Sequence, residues 1–127
     1  MGPIDLKKRT KQFALRVIRM VEALPRNRIS DVLGRQGLRS GTSVGANYRA
    51  ACRAKSRADF ISKMGTVEEE CDETLFGMEL IAENGQVKPA RLTNWMKEAN
   101  ELLSIVVASA QTARRNANPQ SAIRNPQ

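Results

Sequence analysis

The sequence predicts an all-α protein, folded as an antiparallel, up-and-down four-helix bundle. Three observations point there: long segments with apolar residues every three or four positions, few aromatic residues, and no alternating run of useful strand length. Aromatics make up 4% of the 127 residues, while apolar residues in all make up 41%. A core of Leu, Val, Ile, Met and Ala suits helix packing better than a sheet sandwich, which draws on β-branched and aromatic side chains. The length fits one domain with one core.

A first helix is expected over about 5–24, where Leu6, Phe13, Val17, Met20, Val21 and Leu24 keep helical spacing. Pro25 ends it, because proline disfavours helical geometry in the residue before it. "PRNRIS" reads as a polar connector, with Ser30 the expected N-cap of a second helix over about 31–54. The third helix, about 57–83, carries Phe60, Met64, Val67, Cys71, Thr74, Leu75, Met78 and Ala82 as one stripe. Ser56 and Asp59 form the Ser-x-x-acid pattern that satisfies first-turn amides, and Asn84-Gly85 supplies a stop. Pro89 suits a first-turn position ahead of a fourth helix over about 90–115, built on Leu92, Trp95, Met96, Ala99, Leu102, Leu103, Val106 and Ala110. The composition then changes to "NANPQSAIRNPQ", and a disordered tail is expected over 117–127.

The charge is unevenly divided. Residues 1–57 hold 14 Lys/Arg against three acids, whereas residues 58–127 hold seven against ten. A basic half beside an acidic half suits a polyanion partner or contacts between subunits. Histidine is absent, which removes the commonest general base and transition-metal ligand. A di-iron bundle needs inward carboxylates on its helices, and the second helix offers none after Asp31. Ser43 and Cys52 lack a neighbouring base to activate them. No catalytic residue, cofactor or metal is expected. Cys52 and Cys71 have no metal or redox spacing and read as buried small apolar residues in a reducing compartment rather than a disulfide. The apolar run Leu102 to Ala110 is about half a bilayer span, and no apolar leader segment precedes the charges that begin at Asp5, so a cytoplasmic protein is expected.

The stretch "GLRSGTSVGANYRAACRAKSR" sets Gly37, Gly41 and Gly45 four residues apart, then Arg49, Arg53 and Arg57 at the same spacing. A phosphate loop would need a strand before the glycines, and none is present. On a helix the glycines instead form a smooth strip for close packing, in the bundle or against another subunit. Turning the second and third helices about Lys55 and Ser56 brings Gly45 opposite Thr66, beside Gly65, and Gly41 opposite Glu70. Gly37, Gly41, Gly45 and Gly65 are thus the expected helix-packing residues. Arg35, Arg39, Thr42, Ala46, Arg49 and Arg53 trace a polar ridge on another side. The same register brings Arg39 near Asp72, where the acidic run from Glu68 to Glu73 can neutralise it. Arg49, Arg53 and Arg57, with Lys7, Lys8, Arg9 and Lys11, are the expected RNA-contacting residues, acting through phosphate contacts. The alternative is a protein–protein scaffold whose charges serve subunit contacts.

The segment "GRQGLRSGTSVGANYRAACRAKSRADFISKMGTVEEECDETLFGMELI", and above all the spacing of Arg39-Ser40, Ser43-Val44 and Asn47, resembles the four-helix-bundle family of 23S rRNA-intervening sequence proteins. The accessory protein of diversity-generating retroelements is similar too. The resemblance spans most of residues 5–115. It implies an up-and-down bundle, assembly into a five-fold ring and no catalytic residues. The retroelement relative uses a basic surface to engage RNA and reverse transcriptase. Many members follow the asparagine with Ala-Glu-Gly, whereas this chain reads Asn47-Tyr48-Arg49-Ala50-Ala51. The role of that glutamate is therefore not carried over, and Arg49 makes the face more basic.

Overall fold

The computed structural model describes residues 5–117, and no strand occurs among them. Four helices follow one another: α1 (Leu6–Glu22), α2 (Arg28–Cys52), α3 (Arg57–Glu83) and α4 (Thr93–Ala117), with a 3-10 turn at Pro89–Arg91 ahead of the last. Beyond Ala117, which closes α4, the expected disordered tail lies outside the described residues.

Local chemistry sets most of the boundaries. Asp5 caps α1 by accepting from the Lys8 amide at 3.0 Å. Helix α2 begins three residues earlier than the sequence suggests, because Asn27 rather than Ser30 is its N-cap. Asn27 has extended backbone angles, and its side chain accepts from the Ser30 amide at 2.9 Å. Ser30 is then free to be buried, and its hydroxyl donates to Gln86 at 2.8 Å. Ser56 caps α3 by accepting from the Asp59 amide, while Asp59 accepts in return from the Lys55 amide. At the other end Gly85 adopts φ +80°, and the Gln86 amide donates to the Ile81 carbonyl at 3.0 Å. That pairing is a Schellman motif, and only glycine enters this conformation without a Cβ penalty.

Contacts across the seams give the helix directions. A methyl placed on Gly34 would meet Val21 and Leu24, one on Gly41 would meet Val17, and one on Gly45 would meet Thr10. Positions fall along α1 as they rise along α2. The same reversal relates Ser30 with Gln86 and Ser40 with Thr74 across α2 and α3. It also relates Arg9 with Glu101 and Phe13 with Trp95 across α1 and α4. Sequential helices therefore alternate in direction.

The core holds the stripes that periodicity marks out. Phe13, Val17, Met64, Val67, Cys71, Met78, Trp95, Leu102 and Val106 are all buried, and Phe13 stacks on Trp95 with ring centroids 5.2 Å apart. On α3 Ile81 takes the final buried position in place of Ala82, which is half-buried. Helix α2 contributes few large side chains to the core, chiefly Val44. Its inner face is glycine and serine instead, which lets its backbone come close to both neighbours.

Candidate nucleic-acid interface

Two glycines of the α2 strip, Gly41 and Gly45, face α1 rather than α3. A Cβ on Gly41 would lie 2.9 Å from both branches of Val17, and one on Gly45 would lie 3.4 Å from the Thr10 carbonyl. Gly37 alone approaches α3, with its position 3.2 Å from the Met78 methyl. This corrects the expected pairing of Gly41 with Glu70 and of Gly45 with Thr66. Serine and threonine take the α3 side: the Thr74 hydroxyl lies 2.7 Å from both Ser40 Oγ and the Glu70 carbonyl. Gly65 also departs from its expected packing role, since a Cβ there would meet nothing within 4 Å. Gly34, absent from the expected set, does pack closely, 3.1 Å from Val21. Its spacing from Gly41 is one heptad, a signal the sequence contained.

That rotation of α2 sorts its arginines. Arg39 turns towards α3, where it donates to Glu70 at 3.0 Å and also pairs with Glu73. Hydrogen bonding to Glu73, then the Glu70 charge, raises its pKa above the ordinary arginine value. Arg49 and Arg53 turn the other way, towards the start of α1. There they line an open groove of about 700 Å³ together with Lys7, Lys8 and Lys11. Thr10, Thr42, Gly45 and Ala46 supply small side chains between the cations, so the groove stays open along the seam. Among the described residues, none of these five cations is ion-paired. The single carboxylate in the lining, Asp5, is already engaged in capping α1.

Two of the seven expected RNA contacts lie elsewhere. Arg9 points across the α1–α4 seam and donates to Glu98 at 3.0 Å and Glu101 at 3.2 Å. Its position, two residues from both Lys7 and Lys11, puts it on a different side of the helix. Arg57 opens α3 and lines a separate hollow with Phe60, Ala108 and Thr112. The groove thus unites Lys7, Lys8, Lys11, Arg49 and Arg53, and excludes Arg9, Arg39 and Arg57.

Cys52, the last residue of α2, is exposed rather than buried as expected. Cys71 is buried, and burial followed by the nearby Asp72 charge pushes its thiol up to about 12. Burial, then the Cys52 side chain, pushes the Tyr48 hydroxyl up to about 12. Among the described residues no three His, Cys, Asp or Glu side chains are grouped to hold a metal ion, and no helix is long and apolar enough to cross a membrane. The chemistry of the groove suits an anion: five cations from α1 and the C-terminal end of α2, with Asp5 the one carboxylate in its lining.

Comparison with known proteins agrees with this architecture. A crystal structure of a protein of unknown function from the S23 ribosomal protein family of Bacteroides thetaiotaomicron superposes with a TM-score of 0.75. It is 28% identical, and the match covers 84% of this chain and 98% of that one. No curated protein matches. The model of the 23S rRNA-intervening sequence protein family matches residues 3–108, and this chain belongs to that family.

Proposed function

We propose that this protein is a non-catalytic assembly module that binds the phosphate backbone of structured RNA in the groove between α1 and α2. The observation that carries this reading is the convergence of Lys7, Lys8, Lys11, Arg49 and Arg53, all unpaired among the described residues, on one open groove. Clustered cations repel one another, and a polyanion relieves that repulsion while releasing its own counterions. Aromatic residues are too few to stack successive bases, which favours a folded or duplex RNA over a single strand. The family's association with 23S rRNA intervening sequences makes RNA the preferred polyanion.

Titration of a fluorescent RNA hairpin at rising salt tests this. With about five phosphate contacts, log K should fall against log salt with a slope of roughly −4. The double variant Arg49→Glu/Arg53→Glu should flatten that slope by about two and weaken binding roughly 100-fold at low salt. Unchanged binding in the variant sinks the reading.

Self-association is the second part of the proposal. Ile29, Val32, Phe76 and Leu80 stand exposed on α2 and α3, Phe76 at 58%. Exposed apolar side chains of this size suit burial against further copies of the chain. A homo-oligomer, a pentamer by family resemblance, accounts for them. Light scattering reads the assembly, and Phe76→Glu/Leu80→Glu should shift it towards monomer. An oligomer that binds no RNA would establish the scaffold reading instead.

A further inference from the structure

The end of the bundle away from the basic groove holds a second feature, and its chemistry is different. Apolar residues at the C-terminal ends of α1 and α3, and in the segment entering α4, line a half-open cavity of about 200 Å³. Its walls come from Met20 of α1 and Leu24 just after it, Met78 and Ile81 of α3, and Val87 and Leu92 beyond α3. Met20 and Leu24 continue the stripe that buries Phe13 and Val17, yet they remain half-buried. Helix α4 begins only at Thr93, after the 3-10 turn at Pro89–Arg91, so Val87, Arg91 and Leu92 rather than α4 itself line this end. The lining also includes Arg19 and Arg91, both exposed and neither ion-paired among the described residues.

Apolar walls with two unengaged guanidinium groups match one ligand type, an anionic amphiphile. The volume lies below the ~300–1,000 Å³ of typical drug-sized sites, which suits a single alkyl chain better than a ring system or a peptide helix. Two methionines in the walls let the cavity adjust to a flexible tail. Guanidinium matches a carboxylate through paired hydrogen bonds. We propose that this cavity binds a medium-chain carboxylate, its alkyl tail among Met20, Leu24, Met78 and Ile81 and its head held by Arg19 and Arg91. The two sites sit at opposite ends of α1, so failure of one leaves the other standing.

Calorimetric titration of the purified protein with decanoate below its micelle concentration tests the proposal, with 1-decanol and anionic phosphatidylglycerol vesicles as separate arms. Saturable binding of one decanoate per chain is expected, at least tenfold tighter than decanol. Octanoate should bind more weakly, by about fourfold per buried methylene removed. The double variant Arg19→Gln/Arg91→Gln should erase the preference for decanoate over decanol. Ala23→Trp, placed at an exposed residue of the cavity lining, should fill the space and weaken decanoate binding at least tenfold; Val87→Phe fills it from the other side should the first variant fold poorly. Non-saturable uptake, equal affinity for decanol, or unchanged binding in a folded filling variant overturns the proposal. Binding to vesicles without binding of monomeric decanoate also overturns it, and assigns the surface to a membrane.

Discussion

Helix α2 sends arginines to two neighbours, and the two sets end in opposite electrostatic states. Arg39, on the α3 side, sits between Glu70 and Glu73. Arg49 and Arg53, on the α1 side, face Lys7, Lys8 and Lys11 without an ion-paired carboxylate. One side closes a seam within the protein, and the other leaves its charge without an ion-paired carboxylate among the described residues. The residue type is the same on both sides. What differs is the helix opposite, and a net charge of +8 would not have located the available cations.

The largest test of this contrast compares RNA affinity in Arg39→Gln with that in Arg49→Glu/Arg53→Glu. The groove variant should lose roughly 100-fold at low salt and Arg39→Gln about threefold or less, since the groove cations are not ion-paired whereas Arg39 is already held by Glu70 and Glu73. Equal losses would erase the distinction between the two sides of α2. The glycines offer a second test, read by denaturant unfolding. Gly41→Leu should destabilise by about 2–3 kcal/mol, because Val17 already lies at contact distance and a larger side chain must force α1 and α2 apart. Gly65→Ala should stabilise by roughly 0.5–1 kcal/mol, since open space receives the methyl and alanine favours the helix. A stabilising Gly41 variant would contradict the close α1–α2 seam from which the groove is built.

The smallest expected effect concerns the α3 cap. Asp59 pairs with Lys63 and accepts from the Lys55 amide, and these two contacts, Lys63 first, hold its carboxyl below the ordinary range. A lowered folded-state value means the stabilisation is complete above the ordinary carboxylate pKa of about 4 and is lost as pH falls through the folded value. The stability gap between the wild type and Asp59→Asn should therefore narrow from pH 6 to pH 3. A gap independent of pH would show that the carboxylate charge plays no part in the cap.

The helices were legible in the chain because their signals are local. Ser56 and Asp59 lie within one turn of the α3 start, and Gly85 directly follows its C-cap. The Ser30 error arose because two good caps, Asn27 and Ser30, stand in one connector. Only the contact with Gln86, from the far end of α3, shows why Ser30 is drawn inside. Five of the seven cations expected to meet RNA share one groove. Arg9 was misplaced because its partners Glu98 and Glu101 belong to a helix distant in sequence.

Sequence alone determined four helices, their main stops, the apolar stripes and the division of charge. Each depends on spacings of one to four residues, which chain geometry converts directly into faces and caps. Tertiary structure decided how α2 is turned about its own axis. Gly34, Gly41 and Gly45 face α1 because bulky Val17 and Val21 need backbone without Cβ atoms opposite them, while Ser40 meets Thr74 on α3. That rotation is a packing outcome between distant segments, and no local pattern encodes it. It pairs Arg39 with carboxylates, gathers Arg49 and Arg53 with the lysines of α1, and so makes the groove.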